Sequence, residues 1–249
     1  MTKWNQLGRL VVLPSQLKDD WLELTDQQQH YLRRVLRLQA GDRFIAMDGQ
    51  GHAWLAQLLQ DITRQATILE SFQANTELPI DLTLVAALPK GNGFDEVVRQ
   101  VIESGVSRIQ PVISDRTLLH PSAHKVERWQ RIAQESAEQA ERLFLPTIDA
   151  PLTLTQWLQS EQGADPKIRR YLCVTRRSAP HLLRCLTTTS VATSDIHLAI
   201  GPEGGWTERE IERAIEAGYQ PVSLGARIFR TVTAPIAAIA LIAACYESQ

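Results

Sequence analysis

Residues 197–245 read HLAIGPEGGWTEREIERAIEAGYQPVSLGARIFRTVTAPIAAIALIAAC and contain the strongest structural signals of this chain. An apolar run ends in a glycine-rich turn, a helix follows, a second short apolar run also ends in glycine, and a basic loop leads into a final apolar helix. Two strands joined by a helix are expected to lie parallel and to open their carboxyl ends onto one crevice. Because ligands of open α/β sheets bind in such a crevice, the stretch predicts a binding site.

The helices of this stretch have recognisable ends. Thr207 and Glu210 fit the capping-box pattern, which satisfies unpaired amides at a helix start. Gly218 fits the position just beyond a helix end, where a left-handed backbone is favoured. Thr233 and Pro235 mark the first turn of the final helix.

The residues before this stretch continue an α/β pattern. Residues 80–88 form an apolar run, as expected for a strand buried on both faces of a parallel sheet. The further predicted elements are a helix over 94–104, a strand over 108–113, a long helix over 122–145 and a strand over 171–175. In the long helix, Phe144 is assigned to the buried side, and Glu138 and Arg142 to the exposed side. We therefore predict that residues 77–249 form one α/β domain.

Residues 1–72 are predicted to form a small β-rich domain. Short apolar or alternating segments are separated by turn signals, and residues 48–51, DGQG, suit a hairpin. The predicted strands are residues 9–13, 43–47, 52–59 and 66–71. One helix is predicted over residues 26–38, with Arg33 and Arg37 on one face. Such a face either binds phosphates or is an ordinary solvated surface.

Composition and charge narrow the classes of function. The chain has 249 residues and a formal net charge of −2, so affinity for nucleic acid must come from local basic patches. The three cysteines have no metal-ligand spacing, and the N-terminus lacks the layout of a signal peptide, which favours a reduced, cytoplasmic protein. The longest apolar run, residues 234–245, is too short to cross a bilayer.

Two local patterns resemble other chemistries but fail their requirements. His120 and His124 are four residues apart, but Pro121 lies between them and no third ligand is near, so we expect no metal site. Residues 90–93 read KGNG and lack the Gly-Lys-Ser/Thr order of a phosphate-binding loop. Lys90 is then either a solvated turn residue or a contact to an RNA backbone.

Several motifs occur in the order and approximate spacing of a known family. They are HYLRRVLRL (30–38), LPKG (88–91), ESGV (103–106), SDR (114–116), WQRIA (129–133), EQ (138–139), GPEGG (201–205) and LGARIFRTVTAP (224–235). Together they resemble the SPOUT-superfamily methyltransferases that modify N3 of a uridine in 16S ribosomal RNA. The resemblance covers nearly the whole chain, and the joint pattern is more specific than any single motif.

This resemblance implies a fold and a cofactor. It implies a PUA-like β-barrel over residues 1–72 that binds RNA, then an α/β domain with a parallel sheet and a C-terminal trefoil knot, and a homodimer. It also implies that S-adenosylmethionine is held mainly by backbone groups of three loops. The implied cofactor-binding residues are Thr175, Leu198, Ile200, Gly201, Pro202, Glu203, Gly204, Gly205, Leu224, Gly225, Ile228, Phe229, Thr231, Thr233 and Ala234.

The resemblance favours contacts with RNA for a second group of residues. The implied partner is 16S ribosomal RNA of the small ribosomal subunit, without a metal or a membrane. The implied RNA-binding residues are His30, Arg33, Arg34, Arg37, Lys90 and Arg116.

A third implication concerns catalysis. Arg230 lies at the centre of the matching motif and would stabilise the negative charge that develops on uracil O2 and O4, with Arg227 as an alternative. The family's usual Arg-Thr-Glu-Thr reads Arg-Thr-Val-Thr here, so Val232 replaces an acid that could accept the N3 proton. Candidates for the missing acid are Glu103, Glu138 and Glu203. Alternatively, the arginine lowers the pKa of the uracil imide enough for solvent to take the proton.

Other positions also depart from the family pattern. Gln100 stands at its usual lysine, Ser104 at its leucine, and Ala140-Glu141 where a small residue and glycine are usual. Three functions therefore stay open: methylation of uridine N3 in 16S ribosomal RNA, methylation of another RNA position such as a ribose 2′-hydroxyl, and non-catalytic RNA binding in ribosome assembly.

Overall fold

The computed structural model describes residues 7–59, 64–74, 76–117, 121–163, 165–188 and 194–248 of the chain. The chain forms two compact units. The first comprises Met1–Glu77 and Ala137–Leu145, and the second comprises Leu78–Ser136 and Pro146–Gln249. The sequence did not predict that residues 137–145 return to the first unit.

The first unit contains a five-stranded sheet. Its strands, in the spatial order β1-β3-β4-β5-β2, are β1 (Arg9–Val11), β2 (Trp21–Glu23), β3 (Arg43–Met47), β4 (Ala53–Leu58) and β5 (Gln65–Phe72). β1 and β3 are parallel, and the other pairs are antiparallel. Because side chains alternate along a strand, Phe44 and Ala46 enter one apolar cluster while Ile45 and Met47 enter another. A β-rich domain is confirmed, although β2 was not predicted.

The helix of the first unit ends earlier than predicted. α1 (Asp26–His30) is continued by a π-helical turn, Tyr31–Val35. Arg37 then has a left-handed φ of 58°. Because the wide turn and the left-handed residue end the helix, the predicted single helix over 26–38 is wrong at its C-terminal end, and Arg33 and Arg37 do not share a helical face.

The second unit is built on a parallel sheet. Its strands are β6 (Leu82–Ala87), β7 (Arg108–Ile113), β8 (Thr147–Ile148), β9 (Leu152–Thr153), β10 (Arg169–Cys173), β11 (Ile196–Ile200) and β12 (Gln220–Val222). The order is β12-β10-β11-β6-β7-β8, with β9 also pairing with β7. All six residues of β6 are buried, which confirms the strand predicted from the apolar run.

Six helices belong wholly or mainly to the second unit. They are α2 (Gly93–Glu103), α3 (Ala123–Gln139), α4 (Leu154–Ser160), α5 (Leu182–Thr188), α6 (Glu208–Glu216) and α7 (Thr233–Glu247). The Thr207–Glu210 capping box is present, and Gly218 follows α6 with a φ of 86°, so both predicted ends are confirmed. The sequence did not predict α4, α5, β8 or β9. None of the helices in the described ranges is long and apolar enough to span a membrane.

The helix α3 ends six residues before the predicted boundary. Glu141 is left-handed, with a φ of 63°, and the amide of Arg142 donates to the carbonyl of Ala137 at 3.0 Å. This is the hydrogen bond of a Schellman motif, which ends a helix. The assignments in this segment are therefore wrong: Phe144 is 51% exposed, whereas Glu138 and Arg142 are buried.

The topology brings several loops to one edge of the sheet. β11 lies between β10 and β6, and β12 lies on the other side of β10. Because these strands are parallel, the loops that follow them all leave from the same edge. α7 packs against both α2 and α5.

Candidate functional site

The loop after β11 has a backbone that requires glycine. The α-carbon of Gly201 lies against the indole ring of Trp206, and a Cβ on Gly201 would come within 3.1 Å of a ring carbon. The amide of Gly205 donates to the carbonyl of Pro202 at 2.8 Å, closing a turn in which Gly205 has a φ of 69°. A left-handed residue that leaves room for a ligand is a natural glycine position.

Two neighbouring loops hold this glycine loop in place. A carboxylate oxygen of Glu203 accepts a hydrogen bond from the backbone amide of Lys90 at 2.9 Å, in the loop after β6. On the other side, the guanidinium of Arg116 donates to the carbonyl of Gly204 at 2.5 Å, from the loop after β7. The glycine loop is thus tied to loops that the sequence separates by about 90 to 110 residues.

The loop after β10 lies close to two glycines of the cleft. The hydroxyl of Thr175 lies 3.8 Å from where a Cβ on Gly205 would be, and Nε2 of His181 lies 3.9 Å from where a Cβ on Gly225 would be. Nδ1 of His181 accepts a hydrogen bond from the amide of Leu183 at 3.2 Å. A neutral His181 therefore carries its proton on Nε2, as a donor close to Gly225. Sequence reasoning missed His181.

The loop before α7 presents two arginines to solvent. Arg227 and Arg230 are both exposed. The backbone carbonyl of Arg230 accepts hydrogen bonds from the amides of Thr233 (3.0 Å) and Ala234 (2.9 Å), which fixes the loop at the start of α7. Val232 lies 3.4 Å from where a Cβ on Gly93 would be, so this loop also packs against the start of α2.

The structure places most of the predicted cofactor-binding residues at this one edge. Thr175 and the glycine-rich loops lie beyond β10, β11 and β12, while Leu198 and Ile200 are buried within β11 itself. Lys90 and Arg116, which were predicted to bind RNA, are bonded to the glycine loop through the Lys90 amide and the Arg116 guanidinium.

Two of the candidate acids are not part of the cleft loops. Glu103 is the last residue of α2. The helix starts at this edge of the sheet and is about 15 Å long, so Glu103 lies at the end away from the edge. Glu138 belongs to the first unit, where its carboxylate accepts a hydrogen bond from the amide of Val11 at 2.9 Å. Glu203 is the candidate acid within the cleft loops.

The basic residues predicted on the first helix are solvent-exposed. His30 ends α1, Arg33 and Arg34 lie in the π-helical turn, and Arg37 follows it. All four side chains are exposed in the first unit.

Other chemistries find little support in the described part of the chain. No group of three or more His, Cys, Asp or Glu residues within it is placed to hold a metal ion. His124 is exposed and pairs with Glu127 at 3.4 Å, and His120 lies outside the described residues. Desolvation raises the pKa of the Cys173 thiol to about 12, which disfavours the thiolate that a nucleophile needs.

The two units indicate an α/β ligand-binding protein with an accompanying β-rich unit. A β-rich unit accompanies an α/β unit whose parallel sheet carries glycine-rich loops at the edge where ligands of such sheets bind. Known protein families divide the chain in a similar way. Residues 76–243 match the model of an RNA methyltransferase domain, and residues 24–69 match that of an RNA methyltransferase PUA domain.

Individual relatives resemble the chain over nearly its whole length. Ribosomal RNA small subunit methyltransferase E of Synechocystis sp. is 50% identical over 240 residues, which cover 96% of this chain and 78% of the relative. The chain therefore belongs to the RNA methyltransferase family, among the ribosomal RNA small subunit methyltransferases E.

Solved structures give the same fold. The crystal structure of a ribosomal RNA small subunit methyltransferase E from Neisseria gonorrhoeae bound to S-adenosyl methionine has a TM-score of 0.84 and 31% identity, covering 95% of this chain and 97% of the other. A methyltransferase from Legionella pneumophila in complex with the cofactor SAM has a TM-score of 0.83 and 25% identity, covering 96% and 97%.

Proposed function

We propose that this protein transfers a methyl group from S-adenosylmethionine to N3 of a specific uridine in 16S ribosomal RNA of the small ribosomal subunit. The observation that carries the proposal is the convergence of glycine-rich loops at one sheet edge in a member of this methyltransferase family. Relatives that bind S-adenosylmethionine share the fold along nearly the whole chain.

The residues of the cleft fit this cofactor. Gly201, Gly205 and Gly225 leave backbone exposed where a Cβ would crowd a neighbour or strain the chain. Nε1 of Trp206 is buried and has no hydrogen-bond partner among the described residues, although it lies directly beside Gly201. A buried donor without a partner at a loop that would hold a polar cofactor is consistent with a ligand that supplies the acceptor.

Arg230 is the residue proposed to stabilise the reacting uridine. When bound, S-adenosylmethionine supplies an electrophilic methyl group on a sulfonium sulfur. Uridine N3 holds a proton and a delocalised lone pair, so the enzyme must favour the uridinate and hold it in line with the methyl group. The exposed guanidinium of Arg230 would hydrogen-bond to O2 or O4, where negative charge develops. Arg227 is the alternative donor in the same loop.

The proton on N3 needs an acceptor. The carboxylate of Glu138 accepts a hydrogen bond from the amide of Val11, and Glu103 is at the C-terminal end of α2. The contacts of the cleft loops therefore support neither residue as the proton acceptor. Glu203 is exposed and within the cleft loops. The proton passes either to Glu203 or to solvent, once Arg230 stabilises the uridinate.

The two domains have different roles in this proposed function. Residues 1–72 form the PUA-like barrel that binds the RNA through the exposed side chain of His30 and the exposed guanidinium groups of Arg33, Arg34 and Arg37. The second unit, residues 78–136 and 146–249, forms the SPOUT domain, with a C-terminal trefoil knot that includes α7. The partly exposed apolar surface of α7 supports a homodimer. The protein acts in the cytoplasm and needs no metal.

Product analysis tests the proposal. Purified protein and radiolabelled S-adenosylmethionine are incubated with small ribosomal subunits, and separately with free 16S ribosomal RNA, from cells that lack this activity. The RNA is then digested and the labelled nucleoside identified. We expect label in 3-methyluridine. Label in a 2′-O-methylated nucleoside would instead indicate a different RNA position.

A second function has its own motivation in two residues. Val232 replaces the motif's acid and packs near Gly93, and the side-chain oxygen of Gln100 is buried without a hydrogen-bond partner among the described residues. A factor that binds RNA without catalysis would bind it in a salt-dependent manner and leave no label in any nucleoside. The same experiment separates this function from the enzyme.

A further inference from the structure

Arg116 connects two loops of the second unit through its side chain. Its guanidinium donates to the carbonyl of Gly204 at 2.5 Å and lies 3.5 Å from the carbonyl of Trp206. Its Cδ lies 3.0 Å from where a Cβ on Gly204 would be. The side chain thus packs against the glycine loop and donates to carbonyls on either side of Gly205.

A second set of contacts joins the same two loops. The backbone amide of Asp115 donates to the carboxylate of Glu210 at 2.8 Å, and the hydroxyl of Thr207 donates to the carboxylate of Asp115 at 3.1 Å. Glu210 is buried and also accepts from the amide of Thr207 at 2.7 Å. The capping box of α6 therefore anchors the neighbouring loop, and this anchor brings Arg116 over the glycine loop.

We propose that Arg116 is a positioning residue for the cofactor-binding loop, and that it does not bind RNA as the sequence predicts. The inference rests on the proposed function, because it assigns the glycine loop to S-adenosylmethionine. A glycine loop has many accessible conformations, and ordering it at the moment of binding weakens affinity. By fixing two carbonyls of the loop beforehand, Arg116 reduces that loss.

The test uses three substitutions in the full-length protein. Arg116→Met keeps the aliphatic stem and removes every donor, whereas Arg116→Lys keeps the charge and one donor group. Arg177→Met is the matched control, because Arg177 pairs with Glu208 at the start of α6 (2.6 Å) and is not bonded to a carbonyl of the glycine loop in the described residues.

Titration calorimetry with S-adenosylhomocysteine is the main measurement. We expect Arg116→Met to weaken binding at least tenfold, a difference of about 1.4 kcal/mol. Arg116→Lys should recover part of the affinity, and the control should match the wild type. In methylation assays, KM for S-adenosylmethionine should rise more than kcat falls. Binding of a 16S ribosomal RNA fragment to Arg116→Met should be unchanged.

Gly204→Ala supplies an independent test through the same contact. The added Cβ would displace the Cδ of Arg116, so Gly204→Ala should weaken S-adenosylhomocysteine binding, and combining it with Arg116→Met should add little. Fully additive effects would show that the two residues act separately and would overturn the proposal.

Hydrogen exchange distinguishes a failure of this inference from a failure of the proposed function. In the ligand-free protein, peptides covering residues 201–207 should exchange faster in Arg116→Met than in the wild type. If the wild type does not bind S-adenosylhomocysteine, the proposed function fails, while this readout still tests the loop contact. If Arg116→Met binds the ligand normally, exchanges normally, or instead loses RNA affinity, the positioning role is wrong.

Discussion

Glu203 and Lys90 are joined by a hydrogen bond of 2.9 Å from the backbone amide of Lys90 to the carboxylate of Glu203. The two residues are 113 positions apart, and the bond connects the loop after β6 to the loop after β11. Glu203 is therefore at once a candidate proton acceptor and a tie between two loops. These two roles require different properties of the side chain, because only the first requires a group that takes up a proton.

Substitution of Glu203 separates the roles. Glu203→Gln keeps an oxygen that accepts from the Lys90 amide, whereas Glu203→Ala removes it. If the tie is the main role, Glu203→Gln should behave like the wild type, and Glu203→Ala should raise KM for S-adenosylmethionine about two- to tenfold, the usual net value of one hydrogen bond. Glu208→Gln, on the exposed start of α6, serves as the control. A fall in kcat of about a hundredfold or more in Glu203→Gln would identify Glu203 as the base instead.

Arg230 should matter for turnover more than for cofactor affinity. The backbone carbonyl of Arg230 makes the contacts that start α7, so a side-chain substitution leaves them in place. We expect Arg230→Ala to lower kcat about a hundred- to a thousandfold, as for the loss of one donor to a developing oxyanion. Single-turnover methylation measures this effect, and S-adenosylhomocysteine binding should stay within about threefold of the wild type. Unchanged turnover, or a larger loss in Arg227→Ala, would reassign the role.

Local signals allowed much of the fold to be predicted. The Thr207–Glu210 capping box and Gly218 are short-range patterns, and α6 begins and ends where they predict. The end of α3 was missed for the opposite reason. Glutamate is disfavoured in a left-handed conformation, and Glu141 is held there while it pairs with Arg9, a partner 132 positions away.

The candidate site likewise contains residues that local sequence signals predicted and residues that they did not. Gly201 and Gly205 were found because their motif is contiguous; Gly205 has a left-handed backbone, and Gly201 lies too close to the Trp206 ring for a side chain. The partners of Arg116 and the position of His181 depend on the order of strands in the sheet, which places residues far apart in sequence side by side. No spacing within one segment could have predicted them.

The pair of Arg9 and Glu141 gives a prediction in which two effects oppose each other. Replacing Glu141 by glycine removes a left-handed side chain, which favours the fold by roughly 1–2 kcal/mol. It also leaves the Arg9 guanidinium, whose side chain is only 5% exposed, without its carboxylate at 2.6 Å, although Glu141 itself is 36% exposed. Leaving a buried charge without its partner costs about 3 kcal/mol, the lower end of the range for buried pairs. The second effect is larger, so Glu141→Gly should lower the free energy of unfolding in urea titrations.

The double variant Arg9→Met/Glu141→Gly checks this explanation. It removes the buried charge together with its partner, so the left-handed strain is relieved without leaving an unpaired guanidinium. Its stability should recover to the wild-type value or exceed it. A single Glu141→Gly variant that is already more stable than the wild type would mean that the ion pair contributes little.

A buried cluster in the second unit should set the stability of the protein in acid. The carboxylate of Glu161 accepts a hydrogen bond from Arg170 at 2.9 Å and lies 2.7 Å from Nδ1 of His197. Burial raises the pKa of Glu161, but the hydrogen bonds from His197 and Arg170 outweigh it, and the net pKa is below the ordinary value of 4.5. A carboxyl with a lowered pKa stabilises the fold above its unfolded pKa and loses that contribution as the pH falls through the folded pKa.

Urea titrations between about pH 7 and pH 3 measure this contribution. The wild type should lose stability below pH 4.5, where the unfolded chain takes up the proton first. Glu161→Gln should be destabilised by about 3 kcal/mol at neutral pH, because Arg170 stays buried without its carboxylate, and its stability should fall less steeply in acid. Asp149→Asn is the control, since the Asp149–Arg108 pair is partly exposed and contributes less than about 1 kcal/mol. Equal acid slopes for the wild type and Glu161→Gln would show that another carboxyl governs the transition.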